Sequence, residues 1–345
     1  MNFSSDNVAG ISPEILAAMA AANSGKQPSY GDDPLTARVE RRLAEIFEHE
    51  VAVFPVATGT AANALALATL VPPWGTVYCH AEAHVVVDEC GAPEFYAGGA
   101  RMAGIAAPHG KIGPGDLAAL LPGGKGVVHH MQPAAISLTQ ATEAGTVYRA
   151  EEIAAIGELA RRHDLGFHLD GARFANALVH LGCAPADITW RVGVDVLSFG
   201  ATKNGAAAAE AVIFFDPAKA ADFTFRRKRG GHLFSKMRFL SAQLDGYLTD
   251  ELWLRNARHA NAMAARLAAG LSQIANVRLR HPVEANEIFV EMPNPVIEAL
   301  LARGFHFYRW DGPQGNCVRL VTAFDTAAAD VDTFLVTARG VNRVE

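Results

Sequence analysis

The chain has 345 residues, half of them apolar and 19% charged, a globular balance with length for one large domain and a smaller one. A net charge of −6 with scattered Lys and Arg excludes a nucleic-acid-binding stripe, and no window holds the roughly eighteen apolar residues of a membrane span. Four widely spaced cysteines (Cys79, Cys90, Cys183, Cys317) and a polar N-terminus unlike a secretory leader point to a soluble cytoplasmic protein with reduced thiols.

Ser12-Pro13-Glu14 places a cap and a proline at a helix start, with ILAAMAAAN as its body. Gly25 to Pro34 reads as a polar loop containing Tyr30, and Leu35 to Glu48 as a helix with apolar residues at helical spacing. Val51 to Val56 is a short β-branched run followed by ATGTAANALALATLV. Strand, glycine turn and alanine-rich helix together point backbone N–H groups at an anion such as phosphate. Gly59 permits close approach and Thr60 adds a hydroxyl; Thr58 by itself reads as an N-cap. Thr76 to Cys79 predicts a strand leading into HAEAHVVVDECGAPEF, where His84 by itself reads as a surface or core histidine. A short helix (Pro114 to Leu121) and a strand over Val127 to Met131 precede SLTQATEAGTVY, and Ala150 to His163 is an amphipathic helix.

Gly166 to Asp216 is the stretch around which the rest is organised. One apolar run ends in Asp170, Arg173 follows, and a second run, DVLSFG, leads to Thr202-Lys203-Asn204. Two buried strands joined by about thirty residues suggest a parallel βαβ unit, and ligands bind off the carboxyl ends of such strands. Lys with an Asp partner is the pair that pyridoxal 5'-phosphate needs: the amine condenses with its aldehyde, and the carboxylate keeps its pyridine nitrogen protonated. Each residue also has an ordinary reading, as a solvated loop lysine and as a helix cap. Glu210 is a charge in an apolar stretch, to be met by an Arg, backbone amides or a cation. Residues 217–230 read as helical; their basic run, Arg226 to Arg229, reads by itself as a solvated helix end. A helix at Leu252–Leu271 follows, then strands at Val277–Leu279, Glu287–Glu291 and Cys317–Thr322, with helices at Pro295–Arg303 and after Asp325. Arg319, in VRLVT, by itself reads as an exposed strand arginine as easily as a functional one.

From SSDN to VRLVT, the segments SSDN, YGDDP, ATGTAAN, AHVVVDECGAPEF, TQATEAGTVY, HLDGAR, TKNGA and VRLVT occur in the order seen in the L-threonine aldolase family, which the chain closely resembles nearly end to end. That family belongs to the fold-type I pyridoxal-phosphate enzymes, within the β-eliminating lyase group. The resemblance implies an α/β fold with a mainly parallel seven-stranded sheet and a smaller C-terminal α+β domain. The expected divisions are an N-terminal arm and helix (1–34), a cofactor domain (35–248) and a small domain (249–345). It implies that Lys203 carries the cofactor, Asp170 meets its ring nitrogen, His84 lies against its ring, and Gly59 and Thr60 cradle its phosphate. Lys228 and Arg238 reach a phosphate, the arginine across a subunit boundary. Arg173 lies near the cofactor's phenolic oxygen and the substrate carboxylate, which Arg319 and Ser5 clamp; Tyr30 also lies on the substrate side. Asp88 stands where many relatives carry tyrosine, and Gln140 where several have a second histidine. A carboxamide cannot exchange that proton, so Gln140 is read as orienting substrate and His84 as the base. The implied activity is cleavage of L-threonine, L-allo-threonine or phenylserine-like substrates to glycine and an aldehyde, in a homotetramer built from dimers, with active sites at the dimer interface. The alternatives are a β-eliminating lyase or aminotransferase on the same fold and, more distantly, a non-enzymatic cofactor-binding protein; no metal is expected.

Overall fold

The computed structural model describes residues 1–121 and 123–341, so the last four residues of the expected C-terminal domain lie outside it. Seven strands form the large sheet: β1 (Ala52–Val56), β2 (Gly75–His80), β3 (Arg101–Ile105), β4 (Gln132–Thr139), β5 (Gly166–Gly171), β6 (Val196–Gly200) and β7 (Glu210–Phe214). Their order is β1-β7-β6-β5-β4-β2-β3, with β7 antiparallel to both neighbours and all other pairs parallel. The carboxyl ends of β1 to β6 and the amino end of β7 therefore share one edge. Strands β2, β6 and β7 are buried along their whole length, which is why they read as continuous apolar runs.

Helices cover the sheet. The helix Gly59–Leu70 is buried from Ala61 to Ala68, and its alanines allow it to press against β6 and β7. Ala150–His163 buries one stripe (Ile153, Ile156, Gly157, Leu159, Ala160) and ends on Asp164 in the left-handed region. A smaller antiparallel sheet follows in the order β10-β11-β9-β8, formed by β8 (Arg278–Leu279), β9 (Glu287–Glu291), β10 (Tyr308–Arg309) and β11 (Cys317–Val321). It has its own core around Leu267, Val290, Leu320 and Phe334. The N-terminal arm crosses to this sheet: Phe3 donates to the His306 carbonyl at 2.8 Å, accepts from Val321 N–H at 2.8 Å, and is buried in that core.

The strand expected over Val127 to Met131 is not formed; β4 starts at Gln132. The Gln132 amide donates to the carbonyls of Gly124, Val127 and His130 at 3.2, 3.1 and 2.8 Å, closing a turn around the glycines. Val128 is 90% exposed, so its β-branched neighbourhood has no sheet face to bury. None of the described helices is long and apolar enough to cross a membrane.

Candidate active site

The site is assembled from the turns that leave the carboxyl edge of the large sheet. After β1, the Thr58 hydroxyl accepts the Ala61 N–H at 3.2 Å, as an N-cap should. The N–H groups of Gly59 and Thr60 open the helix and have no acceptor within it. A Cβ on Gly59 would meet nothing within 4 Å, so this positive helix end faces free space.

β5 delivers Asp170, which is buried. Its Oδ1 accepts the Ala172 N–H at 2.9 Å and its Oδ2 accepts from Asn63 Nδ2 at 2.8 Å. The second N–H of that amide goes to Glu89 Oε1 at 2.8 Å, and His84 Nδ1 lies 2.9 Å from the same oxygen. Asp170, Asn63, Glu89 and His84 thus form one run of side-chain hydrogen bonds. Asn63 Oδ1 and Glu89 Oε2 are sealed from water with no partner. Burial pushes Glu89 up, against hydrogen bonds from His84 and Asn63. The hydrogen bond to Glu89 holds His84 above the ordinary histidine value, opposed by burial. Glu143, from the loop after β4, accepts the His84 N–H at 2.8 Å and the Thr139 hydroxyl at 2.9 Å. Burial, then the nearby Asp170 charge, raises Glu143 to about 7. Sequence reasoning missed Asn63, Glu89 and Glu143. Asn63 carried a signal, being the one amide in an otherwise alanine, leucine and threonine helix.

β6 ends in the turn Thr202–Asn204. Asn204 anchors it by donating to the Tyr247 hydroxyl at 2.7 Å and the Trp253 carbonyl at 2.8 Å. Gly205 closes it at φ +118°, where a Cβ would strike Ser12 Oγ at 2.2 Å. Lys203 is half-buried, and no hydrogen bond or ion pair to a described residue holds its ammonium. Asp6, His84 and Glu210 all lie within reach of its charge. Glu210, at the amino end of β7, accepts the Ala201 N–H at 2.8 Å, so a backbone amide is the partner it needed. Burial raises it to about 7.

The two sheets meet over a buried ionic cluster. Arg173 Nε and Nη2 donate to Asp6 at 2.8 and 3.1 Å, and its Nη1 lies 3.2 Å from Glu287 Oε2. Burial works against the Arg173 charge, but Asp6 and Glu287 outweigh it and keep the guanidinium protonated. Arg319 Nε donates to Glu287, and its Nη1 reaches the Ser4 carbonyl at 3.3 Å. The structure thus brings Arg173 and Arg319 together, each with an internal carboxylate, while Nη2 of Arg319 bonds to no described residue. Ser5 is half-buried beside them, its hydroxyl accepting from Asn7 N–H at 3.1 Å.

Gln140, read from the sequence as orienting substrate, has its hydrogen bonds on the backbone of one residue. It is fully buried, donates to the Tyr148 carbonyl at 2.8 Å and accepts the Tyr148 N–H at 2.9 Å, so its amide braces a loop. Asp88 is exposed. Tyr30, Lys228 and Arg238 form a separate surface group. Lys228 sits 4.9 Å over the Tyr30 ring, and Arg238 donates to the Gly25 carbonyl at 3.1 Å. A cleft of about 490 Å³ beside Asp33, Arg38 and Asp245 includes Arg238 but neither Lys203 nor Asp170. Among the described residues, no group of three or more His, Cys, Asp or Glu is arranged to hold a metal.

Residues 2–294 match the family model for beta-eliminating lyases. The chain is 45% identical to the low specificity L-threonine aldolase of Pseudomonas aeruginosa, covering 99% of this chain and 97% of that protein. It is 44% identical to the enzyme of that name from another Pseudomonas strain, over 98% and 97%. Among solved structures, a Leishmania major threonine aldolase superposes with a TM-score of 0.92 at 29% identity, covering 99% of both chains. A Sphingomonas wittichii serine palmitoyltransferase shares the fold, with a TM-score of 0.72 at 15% identity over 100% of this chain and 87% of that one. The architecture is that of the fold-type I enzymes, as the sequence led one to expect. The chain belongs to the beta-eliminating lyase family and, within it, stands with the L-threonine aldolases.

Proposed function

We propose that the protein is a pyridoxal-phosphate-dependent aldolase that cleaves L-threonine, L-allo-threonine or a related β-hydroxy-α-amino acid to glycine and an aldehyde. The observation that carries this reading is an amine without a partner among the described residues, Lys203, set on the same sheet edge as the buried Asp170 carboxylate and near ion-paired arginines. The cofactor fits what is present. The free N–H groups of Gly59 and Thr60 suit a phosphate, Asp170 suits a pyridinium, and His84 offers a flat ring. When bound, the cofactor supplies an aldehyde for the amines and an electron-withdrawing ring for the breaking bond.

The chain's own residues do the rest. Lys203 would hold the cofactor through its side-chain amine. Arg319 offers Nη2 to the substrate carboxylate, with Ser5 beside it, and Arg173 supports that clamp. Holding the carboxylate fixes the rotation about Cα, so that the Cα–Cβ bond can stand across the ring plane. His84 takes the β-hydroxyl proton, with the exposed Asp88 following it on the same segment. Lys228 and Arg238, at the surface, serve a phosphate at a dimer interface in a homotetramer, where Arg238 acts on the partner's site. Phe95 and Phe225, 78% and 77% exposed, supply apolar surface for such contacts. The four cysteines are unpaired, in keeping with a cytoplasmic enzyme.

Incubation with L-threonine tests the activity: acetaldehyde and glycine support it, whereas 2-oxobutyrate with ammonia means β-elimination, and no product means a binding protein. Light scattering with active protein at low micromolar concentration tests the assembly, and a fully active monomer would refute it.

A further inference from the structure

We propose that Glu89 is the positioning residue for His84: it accepts a hydrogen bond from Nδ1–H, locks the tautomer whose Nε2 is bare, and so makes Nε2 the atom that receives the β-hydroxyl proton. The use of Nε2 rests on the aldolase reading; the tautomer lock does not.

The argument starts at Asn63. Its amide nitrogen has two protons, and both are spent on carboxylate oxygens, Asp170 Oδ2 and Glu89 Oε1, each at 2.8 Å. Oε1 accepts from Asn63, and at a pH where Glu89 is ionised its carboxylate has nothing to donate. The contact of 2.9 Å between that oxygen and His84 Nδ1 then requires the proton to sit on the imidazole. A neutral imidazole carrying its proton at Nδ1 has its lone pair at Nε2. Exposure orients the pair. The Glu89 side chain is 0% exposed and the His84 side chain 39%, so the carboxylate is the closed end and the ring the open one. The His84 main chain is held independently, because its N–H donates to Glu143 at 2.8 Å. Ring and backbone are thus fixed by carboxylates from two different segments.

The proton step balances without another reagent. The Nε2 lone pair forms an N–H bond as the β-hydroxyl O–H bond breaks. The oxygen's electron pair becomes the second bond of the aldehyde carbonyl, and the Cα–Cβ bond breaks with its pair left at Cα, which a proton later occupies to give glycine. The groups acting on His84 are Glu89 and Asp170, which favour its protonated form, and Lys203 and burial, which oppose it. Activity that needs bare Nε2 should then fall on the acid side at a pH above the ordinary histidine value. Replacing Glu89 by a neutral amide removes its charge, weakens the hydrogen bond that is the largest cause, and moves that limb to lower pH.

Two measurements test this. Solid-state ¹⁵N NMR of histidine-labelled holoenzyme at pH 9, with the His84 signals identified by their loss in His84→Phe, should show Nδ1 protonated and Nε2 bare. The opposite tautomer overturns the proposal whatever the enzyme cleaves, and whether or not any Glu89 variant folds. In kinetics, Glu89→Gln with normal cofactor content should lower kcat about tenfold or more, on the scale seen when a residue orienting a functional histidine is lost. KM should stay within about twofold, and the acid limb should move down. In a His84→Phe background the same change should have less than about a twofold effect, since its object is gone. Equal losses in both backgrounds would show that Glu89 acts on something other than His84. Absence of threonine cleavage by the wild type would sink the aldolase reading while leaving the tautomer result to stand.

Discussion

The carboxyl edge of the seven-stranded sheet and the junction with the four-stranded sheet are both rich in buried charge, yet they handle it differently. At the junction, Asp6, Arg173, Glu287 and Arg319 close on one another, two cations against two carboxylates, with Asn286 donating to Asp6 at 3.0 Å. At the sheet edge the groups are left incomplete. Among the described residues, Lys203 has no partner, and Asn63 Oδ1, Glu89 Oε2 and Glu143 Oε2 are sealed without one. Buried polar atoms are normally satisfied because leaving one bare costs about 1–3 kcal/mol. The junction has exceptions of its own, Asn286 Oδ1 and Glu287 Oε2, but they lie among paired charges; those at the sheet edge lie near an ammonium that no described residue holds, which marks where reactivity is kept.

The strongest challenge to this contrast is Lys203→Ala, which should abolish cleavage by at least ~10³-fold, as loss of a covalent residue does. Borohydride should fix the cofactor on the Lys203 peptide; label on Lys228 or Lys236 would overturn the assignment of the sheet edge. Next is His84→Phe, which keeps a flat ring and removes the base. It should retain cofactor and lose roughly 10²-fold, whereas a near wild-type rate would leave His84 with stacking alone. At the junction, Arg319→Ala should weaken substrate binding by about 2–5 kcal/mol, read as a raised KM, with cofactor content unchanged. Lost cofactor at unaltered KM would reverse the division of labour.

Two smaller effects are read in stability. Glu210 stands at about 7 in the folded chain against 4.5 ordinarily, so folding favours its protonated form. That contribution is complete below about pH 4.5 and is lost as pH rises through about 7. Relative to wild type, Glu210→Gln should gain on the order of 3 kcal/mol at pH 8.5 and nothing at pH 4, by denaturation midpoints. Gln140→Ala should cost about 1–3 kcal/mol of stability by stripping the Tyr148 backbone of its partners, with little change in kcat/KM. A large kinetic loss at normal stability would return Gln140 to the substrate.

Much of this was legible in one dimension. β5 and β6 are apolar runs that end in polar residues, so Asp170 and Lys203 announced both their strands and their shared edge. Arg319 was visible as a charge in an alternating strand, but its partner Glu287 was not, since pairing in the sheet and not sequence distance puts Arg319 opposite Phe289, two residues from Glu287. The partners of Gln140 were hidden for a related reason. The direction of a loop side chain depends on which backbone groups nearby lack partners, and Tyr148 supplied both. Glu89 and Asn63 meet only because β2 and β1 end at the same level, 26 residues apart in the chain. Strand patterns predict the edge; they do not predict which side chains find each other across it.

The arm through Phe3 also sets a schedule for synthesis. Arg173 is 167 residues from Asp6, and the Arg319 contact with the Ser4 carbonyl spans 315. A chain leaving the ribosome from its N-terminus can complete the large sheet once β7 has emerged, but its first residues must wait for β11 to receive Phe3. Until then the arm has no sheet to join, and Arg173 lacks the register that places Asp6 and Glu287 around it. The nascent enzyme is therefore folded well before it is competent, and its N-terminal arm and last strand arrive at the finished site together.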